Sequence, residues 1–320
     1  MNAQRQRVVI ARVLLPAGLD RLRGRYEVSE GGLEATREDL LERVPGAAAL
    51  VADPSIPIDG DLLEAAGDGL KLVANFAVGY DNVDLDACRD RGVIVTNTPD
   101  VLTEATAELA MALTFAAARR MSDAERDLRA GRWRGWDPSA YRGIEIRGST
   151  VGVVGMGRIG SRYALLANGL GAKVVYTSRS PKPDAESGQG ARRLDFRELL
   201  EASDVVSIHA PSTLETKGLI GATELELIGP EGVLINTSRG PLVDSEAVAD
   251  ALESGTLGAA GLDVYESEPE VSPRLQAAPR AVLLPHIGSA TIPSRDGMAN
   301  AVADNVIAVL EGEDPPSRIV

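Results

Sequence analysis

Short runs of branched apolar residues alternate with longer amphipathic stretches along the whole chain. This alternation is typical of β-α-β units whose parallel strands are buried on both faces. In the first third of the chain, the helical spacing of apolar residues predicts helices over residues 38–44 and 61–66. The apolar runs beside them predict strands near residues 8–15, 47–52, 70–75 and 92–96. A small α/β layer is therefore expected here.

After residue 149 the alternation starts again and is more regular. A long alanine-rich helix is predicted before it, over residues 103–130, and a last helix is predicted over residues 294–310. The polar, proline-rich segment 178–193 is predicted to be a loop. Six further strands are predicted, near residues 150–154, 173–177, 204–209, 232–236, 259–263 and 281–284. Because six strands complete a doubly wound sheet, we expect an α/β fold with a Rossmann sheet beside the smaller layer.

Length and charge restrict the partners that are expected. A chain of 320 residues is longer than one core usually supports, so two domains are expected. A net charge of −14 argues against nucleic acid and anionic membranes as partners. The longest apolar stretch, near residues 110–118, is far shorter than the roughly 20 residues that span a bilayer. Cys88 is the only cysteine, which excludes an internal disulfide and a thiolate metal cluster, and no secretory signal is recognisable. A cytoplasmic protein without a metal is expected.

A glycine-rich turn follows the predicted strand 150–154 and precedes a helical stretch. With 33 glycines in the chain the G-x-G-x-x-G pattern alone is weak evidence, but the order strand, turn, helix is the one that binds dinucleotides. The first glycine permits a tight turn, the second lets the backbone approach a pyrophosphate, and the third lets helix and strand pack closely. The predicted cofactor-binding residues are Gly155, Met156, Gly157, Arg158, Ile159 and Gly160.

The end of the next strand indicates which dinucleotide is preferred. NAD-specific sites usually carry an acid here, which binds the ribose 2′-hydroxyl. In this chain the strand 173–177 is followed by Ser178, Arg179 and Ser180, and the first acid is Asp184. An arginine flanked by hydroxyls suits a 2′-phosphate, so NADP(H) is favoured over NAD(H). The alternative is that Arg179 is a solvated loop charge.

The chain has two histidines that are candidates for proton transfer. His209 ends the predicted strand 204–209, where it would face the cofactor crevice. It is predicted to help wall the cofactor, and a packed or backbone-bonded histidine is the alternative. His286 follows the predicted strand 281–284, and it is the better candidate for the catalytic acid or base.

Two charged residues stand at equivalent strand ends. Arg239 follows the predicted strand 232–236 and is able to hold a carboxylate through two parallel hydrogen bonds. Glu268 follows the strand 259–263, and a carboxylate beside His286 would orient the ring and raise the histidine pKa, which keeps the proton donor charged. Taken singly, either charge is more often an ordinary surface residue.

Five ordered segments of the chain resemble motifs of the D-isomer-specific 2-hydroxyacid dehydrogenase family. They are residues 75–84, 151–160, 236–240, 261–269 and 285–289. In that family a discontinuous substrate domain flanks a central Rossmann domain. The resemblance therefore implies a smaller flavodoxin-like α/β substrate domain from residues 1–99 and 287–320, and a dinucleotide-binding Rossmann domain from residues 100–286.

The resemblance also implies roles for individual residues. Arg239 would bind the substrate carboxylate and carbonyl, His286 would donate the proton, and Glu268 would pair with His286. Backbone groups of Val78 and Gly79 would bind the substrate carboxylate. The other implied cofactor contacts are Thr237, Ser238 and Asp263 on the nicotinamide side, together with Thr103 and Gly288.

Members of this family typically form homodimers through their cofactor domains, with the helix predicted over residues 103–130 contributing. In one branch the neighbouring subunit places an aromatic side chain over the substrate, and Trp133 and Trp136 resemble that aromatic. The implied partners are a second copy of the chain and a small 2-oxoacid or 2-hydroxyacid.

Within the family, segments 176–180 and 284–291 are most similar to glyoxylate/hydroxypyruvate reductases, which generally use NADPH. Formate dehydrogenases resemble the scaffold but have glutamine in place of the paired glutamate, so Glu268 argues against formate. The expected reaction is NADPH-dependent reduction of glyoxylate or hydroxypyruvate to the D-2-hydroxyacid. Another 2-hydroxyacid, 3-phosphoglycerate or phosphite as substrate stays open, as does a nucleotide-sensing binding protein that resembles the C-terminal-binding corepressors.

Overall fold

The computed structural model describes residues 5–320, apart from the side chain of Gln189. The strands within this range are β1 (Arg7–Ile10), β2 (Glu27–Glu30), β3 (Ala49–Ala52), β4 (Leu72–Asn75), β5 (Ile94–Thr96), β6 (Thr150–Val154), β7 (Lys173–Thr177), β8 (Arg192–Arg193), β9 (Val205–Ile208), β10 (Val233–Asn236), β11 (Ala259–Leu262) and β12 (Ala281–Leu283). The α-helices are α1 (Pro16–Arg23), α2 (Arg37–Arg43), α3 (Gly60–Ala66), α4 (Leu85–Asp90), α5 (Thr103–Ala118), α6 (Met121–Arg129), α7 (Arg158–Gly169), α8 (Pro183–Gln189), α9 (Phe196–Ala202), α10 (Ala222–Ile228), α11 (Ser245–Ser254), α12 (Pro273–Ala277) and α13 (Ile292–Glu311). A 3₁₀ turn spans Gly240–Leu242.

The first of two compact units ends at Leu102 and resumes over Ser289–Val320. Its five strands are parallel in the order β2-β1-β3-β4-β5, which is the flavodoxin-like order. Side chains of β1 alternate between two cores. Val8 and Ile10 pack with apolar residues of α1 and α13, and Val9 packs with those of α2 and α3. The strand is apolar throughout because helices cover both faces of the sheet.

The second unit is Thr103–Gly288. Its seven strands have the order β12-β11-β10-β9-β6-β7-β8, and every pair is parallel. The chain runs outward from β6 through β7 to β8 and then returns to β9 on the other side of β6. Doubly wound sheets bind ligands outside the carboxyl ends of the strands at this kind of switch point. The predicted α/β fold with a Rossmann sheet is thereby confirmed.

The two strands that the sequence analysis missed are both edge strands. β2 has the sequence Glu-Val-Ser-Glu and lies at one edge of the first sheet, and β8 is two arginines at an edge of the second. An edge strand needs no continuous apolar run, because one side of its backbone has no neighbouring strand. The second sheet therefore has seven strands where six were predicted.

Two predictions of helical structure were wrong. The helix predicted over residues 103–130 is divided into α5 and α6, because Arg120 has the left-handed backbone φ of 51°. The predicted loop 178–193 contains α8, which begins at Pro183 and carries Asp184 and Glu186 in its first turn, as helix starts often do. Within residues 5–320 no helix is both long and apolar enough to cross a membrane.

Candidate active site

The glycine turn between β6 and α7 packs too closely for side chains at two positions. Gly155 has a φ of 97°, and a Cβ there would lie 2.7 Å from the carbonyl carbon of His209. A Cβ on Gly160 would lie 2.1 Å from the carbonyl oxygen of Gly155. Both glycines are therefore required for the turn itself, whether or not a ligand is bound.

The second glycine of the pattern has a different surrounding. Among the described residues 5–320, no atom lies within 4 Å of a Cβ added to Gly157, and its φ of −82° suits any residue. Gly157 is the N-cap of α7 and, as a glycine, offers no side chain to cap the first turn of this helix. Free N–H groups at a helix start bind anions. The open space and the uncapped turn fit the pyrophosphate of a dinucleotide.

The loop after β7 carries the residues predicted to select the cofactor. Ser178 donates from Oγ to the carbonyl oxygen of Ser180 (2.6 Å), and Arg179 and Ser180 are exposed. Arg193, in the edge strand β8, donates from Nη2 to the carbonyl oxygen of Ser178 (2.8 Å). The loop is thus folded by its own hydrogen bonds, and a second arginine lies beside Arg179. Arg193 was not predicted from the sequence.

His209 lies at the carboxyl end of β9, against the glycine turn. Its backbone N–H donates to the carbonyl oxygen of Val154 (2.7 Å). Its ring packs on the ring of Tyr163, with the two ring centroids 5.0 Å apart. Burial lowers the pKa of His209 to about 3, so the imidazole is neutral near pH 7. His209 is therefore a poor proton donor, and its position suits contact with a ligand at the glycine turn.

The loop after β10 holds Arg239 through backbone and side-chain bonds. Asn236 donates from Nδ2 to the carbonyl oxygen of Arg239 (2.9 Å) and accepts from the N–H of Ser238 (3.0 Å). A Cβ on Gly240 would lie 1.9 Å from the carbonyl carbon of Tyr265, so this loop lies directly on the backbone that follows β11. Arg239 and the residues after β11 are therefore close together.

Asp263, directly after β11, is fully buried and hydrogen-bonds to the turn that follows β12. Its carboxylate accepts hydrogen bonds from the N–H groups of Ile287 (2.8 Å) and Gly288 (2.7 Å). Its carbonyl oxygen accepts from the N–H of His286 (2.9 Å). Burial raises the pKa of Asp263, and the two N–H bonds oppose that rise. The turn that carries His286 is thereby fixed to the end of β11.

Glu268 and His286 are brought together, although 18 residues separate them. Glu268 Oε2 lies 2.6 Å from His286 Nδ1, and Glu268 Oε1 accepts from the N–H of Tyr265 (3.0 Å). Burial raises the pKa of Glu268, but the bonds from His286 and Tyr265 and the charges of His286 and Arg239 bring it below its ordinary value. An ionised Glu268 is thus the oriented partner of the His286 ring.

Thr103 and Gly288 are the two remaining cofactor contacts that the resemblance implied. Thr103 is the first residue of α5. One turn later, Thr106 donates from Oγ1 to the carbonyl oxygen of Gly288 (3.2 Å). A Cβ on Gly288 would lie 3.2 Å from the carboxylate of Asp263. Thr106, which was not predicted from the sequence, therefore contacts Gly288, and the cofactor contact of Thr103 stays a prediction.

Val78 and Gly79 belong to the first unit, in the loop after β4. The buried amide of Asn97 donates to the carbonyl oxygen of Val78 (2.8 Å), and that of Asn75 donates to the carbonyl oxygen of Gly79 (2.7 Å). These bonds fix the loop backbone. The binding of a substrate carboxylate by Val78 and Gly79 stays a prediction.

One signal in the sequence would have located more of these residues. Asn75, Asn97 and Asn236 each stand at or just beyond the carboxyl end of an apolar strand, where a buried amide is expected to hold the following loop. Tyr163 and Thr106 carry no such signal, because each lies among apolar residues within a helix.

Comparisons with known proteins show the family to which the chain belongs. Residues 111–288 match the family model described as D-isomer specific 2-hydroxyacid dehydrogenase, NAD binding domain. A glyoxylate reductase of Thermococcus litoralis is 45% identical over 319 residues, which cover 98% of this chain and 96% of the relative.

Solved structures resemble the chain over nearly its full length. A crystal structure of a protein from Thermus thermophilus has a TM-score of 0.92 and 44% identity, and 98% of this chain and 100% of that chain are covered. An NADPH-dependent glyoxylate/hydroxypyruvate reductase from Sinorhizobium meliloti, in complex with NADP and malonate, has a TM-score of 0.88 and 34% identity, with 99% and 97% covered. The chain belongs to the D-isomer specific 2-hydroxyacid dehydrogenase family and is an NAD(P)-dependent oxidoreductase.

Proposed function

We propose that the chain reduces a small 2-oxoacid, glyoxylate or hydroxypyruvate, to the D-2-hydroxyacid with NADPH. The observation that carries the proposal is the 2.6 Å contact between Glu268 and His286. The two side chains follow strands of the sheet whose carboxyl edge also holds Arg239 and the glycine turn, which supports a role as an acid–base pair. Relatives named glyoxylate reductase, at 41–45% identity, support the choice of substrate.

Arg239 is proposed to bind the substrate carboxylate. A guanidinium matches a carboxylate through two parallel N–H donors, and the same group polarises an adjacent carbonyl. Its side chain donates from Nη1 to the carbonyl oxygen of Ser238 (2.8 Å), which holds the guanidinium beside the loop after β10. A 2-oxoacid carries its carboxylate and carbonyl on neighbouring carbons, so one arginine serves both.

His286 is proposed to protonate the carbonyl oxygen. Its Nδ1 faces the ionised Glu268, which leaves Nε2 as the nitrogen that delivers a proton. The bound nicotinamide cofactor supplies a hydride to the carbonyl carbon. The oxygen takes the proton from His286 Nε2, so the products are a 2-hydroxyacid, an oxidised cofactor and a neutral histidine that is recharged from solvent.

The cofactor is proposed to bind across the carboxyl ends of β6, β7, β10 and β11. Gly157 and the first turn of α7 would hold the pyrophosphate, and Arg179 the 2′-phosphate. Thr237 Oγ1 is buried and has no hydrogen-bond partner within residues 5–320, which suits a ligand on the nicotinamide side. Ser238 and Asp263 flank it at the same strand ends.

Replacing His286 by Ala is expected to lower kcat for glyoxylate by about 10²- to 10⁴-fold, because the proton donor is lost. The dissociation constant of NADPH should stay within about twofold, since no step of cofactor binding needs the imidazole. Glu268→Gln should give an intermediate loss, because the amide holds the ring without the charge. Steady-state rates and NADPH fluorescence titration measure both quantities.

The matched control is Glu270→Gln, which changes an exposed acid two residues away. It should leave kcat unchanged. Near-normal turnover by His286→Ala would show that another group donates the proton.

Replacing Gly157 by Ala is expected to weaken NADPH binding by more than about tenfold without lowering the melting temperature. The added methyl meets no protein atom, so it occupies only the space proposed for the pyrophosphate. Gly169→Ala, which also adds a methyl in open space on α7, is the control and should change neither quantity. Unaltered NADPH affinity in Gly157→Ala would place the pyrophosphate elsewhere.

Replacing Arg179 by Ala is expected to raise the dissociation constant of NADPH by about 10- to 100-fold, the range for loss of a charged hydrogen bond. NADH binding should change by less than about twofold. Arg197→Ala, at an exposed arginine of α9 that pairs with Glu201, is the control. Equal weakening of both cofactors, or a wild-type preference for NADH, would contradict the role of Arg179.

A homodimer is proposed to form through the surface around α6. No residue of α6 is buried, and large apolar side chains are exposed on it and beyond it. They are Met121, Leu128, Trp133 and Trp136, with exposed fractions of 48%, 58%, 60% and 85%. Apolar groups exposed together often mark an interface.

Light scattering of the wild-type chain should give twice the 33.6 kDa chain mass, and Leu128→Asp should give the monomer mass. A wild-type monomer at micromolar concentration would exclude this dimer.

A further inference from the structure

A row of hydroxyl groups crosses the interior of the second unit and ends on His209. Thr114 Oγ1, on α5, donates to the carbonyl oxygen of Ala110 (2.8 Å). The Tyr163 hydroxyl, on α7, lies 2.8 Å from Thr114 Oγ1. Hydrogen bonding by the Ser207 side chain opposes the rise that burial causes in the pKa of this hydroxyl, which makes Ser207 its second partner. Ser207 Oγ lies 2.9 Å from His209 Nε2. The three hydroxyl side chains belong to fully buried residues, so water does not compete for these bonds.

The start of the row determines the direction of every bond in it. A carbonyl oxygen only accepts, and each hydroxyl has one proton. Thr114 donates its proton to the carbonyl, so Tyr163 must donate to Thr114 and Ser207 must donate to Tyr163. Ser207 then has no proton left for His209, and the hydrogen between them belongs to His209 Nε2. The reverse direction would leave the 2.8 Å contact between Thr114 and the carbonyl without a proton.

The protonation states of the two ring residues agree with this direction. Burial raises the pKa of Tyr163 to about 12, so the phenol keeps its proton. Burial lowers the pKa of His209 to about 3, so the imidazole carries one proton only. That proton is on Nε2, and Nδ1 therefore has a free lone pair.

The free lone pair is located beside the glycine turn. Nδ1 of His209 has no hydrogen-bond partner within residues 5–320. The atom is not fully buried, so a ligand is able to reach it. A Cβ on Gly160 would lie 3.2 Å from His209 Cβ, so the histidine adjoins the turn directly. β9 and β6 are also the strands on either side of the switch point. A ligand bound at the switch point would therefore meet a hydrogen-bond acceptor, the Nδ1 atom of His209.

We propose that His209 accepts a hydrogen bond at Nδ1 from a ribose hydroxyl of the bound dinucleotide, and that Thr114, Tyr163 and Ser207 are positioning residues that fix its tautomer. A phosphate is excluded as the partner because it has no proton to donate to a neutral acceptor. The ribose hydroxyls are the donors that flank a pyrophosphate held at the glycine turn. The ligand half of the proposal rests on the cofactor site proposed above, and the tautomer half does not.

The tautomer is measured on the full chain without cofactor. Two-bond ¹H–¹⁵N correlation spectra of the ¹⁵N-histidine-labelled protein contain two imidazoles, because the chain has two histidines, and the spectrum of His286→Ala assigns them. His209 should show a neutral ring protonated on Nε2 between about pH 5.5 and 8.5. A ring protonated on Nδ1, or one that titrates in this range, would overturn the proposal.

Tyr163→Phe tests the coupling between the row and the cofactor. Without the tyrosine hydroxyl, Ser207 is expected to turn its proton to His209 Nε2, and the spectrum should shift to the Nδ1 tautomer. The dissociation constants of NADPH and NADH should both rise by about 3- to 10-fold, because the acceptor is lost for a hydroxyl that both cofactors carry. The equal effect on the two cofactors separates this result from that of Arg179→Ala.

The matched control is Ser203→Ala, which removes a buried hydroxyl of the same unit that donates to the carbonyl oxygen of Leu199. It should change neither the tautomer nor either dissociation constant. A tautomer shift in Tyr163→Phe with unchanged cofactor binding would overturn the ligand half. If Tyr163→Phe does not fold, His209→Gln takes its place, since the amide both donates to Ser207 and presents an acceptor. It should bind both cofactors within about threefold of wild type, and His209→Leu should not.

Discussion

The buried carboxylate of Asp263 is the constraint on which the candidate active site depends. A charged group is costly to bury unless hydrogen bonds replace its water, and here the N–H groups of Ile287 and Gly288 do so. These two residues follow His286 directly, so satisfying the carboxylate also fixes the turn on which the histidine stands. His286 is held at a φ of 52°, and from that position its Nδ1 meets Glu268.

The same unit uses close backbone packing to bring separate loops together. Gly240 lies against the carbonyl of Tyr265, and Gly155 lies against that of His209. In each case two loops at the carboxyl edge of the sheet approach more closely than any side chain would permit. The parallel arrangement of the strands is what gathers these loops at one edge. Chemistry that is dispersed over residues 155–288 of the chain therefore converges on one small region.

Much of this was predictable from the sequence, for definite physical reasons. Central parallel strands are buried on both faces, so they appear as apolar runs, and the polar residues that follow them must lie at the carboxyl edge. The edge strands β2 and β8 lack that burial, and the break at Arg120 depends on one backbone angle. Neither feature leaves a pattern of apolar residues.

Glu268 and His286 are in contact, and the sequence allowed their pairing to be predicted because each follows one of two successive predicted strands. The hydroxyl row was not predicted. Thr114 and Tyr163 are 49 residues apart, and each lies on a helix among apolar neighbours. Only the packing of α5 and α7 on one face of the sheet reveals that they meet. Buried polar groups that are satisfied by distant partners cannot be located from spacing along the chain.

The most direct test of the proposed reaction is the wild-type chain with each cofactor and four 2-oxoacids. Initial rates of NADPH and NADH oxidation are measured with glyoxylate, hydroxypyruvate, pyruvate and 2-oxobutyrate, and the glycerate formed from hydroxypyruvate is resolved by chiral chromatography. We expect NADPH to be oxidised faster than NADH, the first two acids to be turned over fastest, and the product to be D-glycerate alone. No turnover of any of the four acids, or formation of L-glycerate, would contradict a D-2-hydroxyacid dehydrogenase that acts through Arg239, Glu268 and His286.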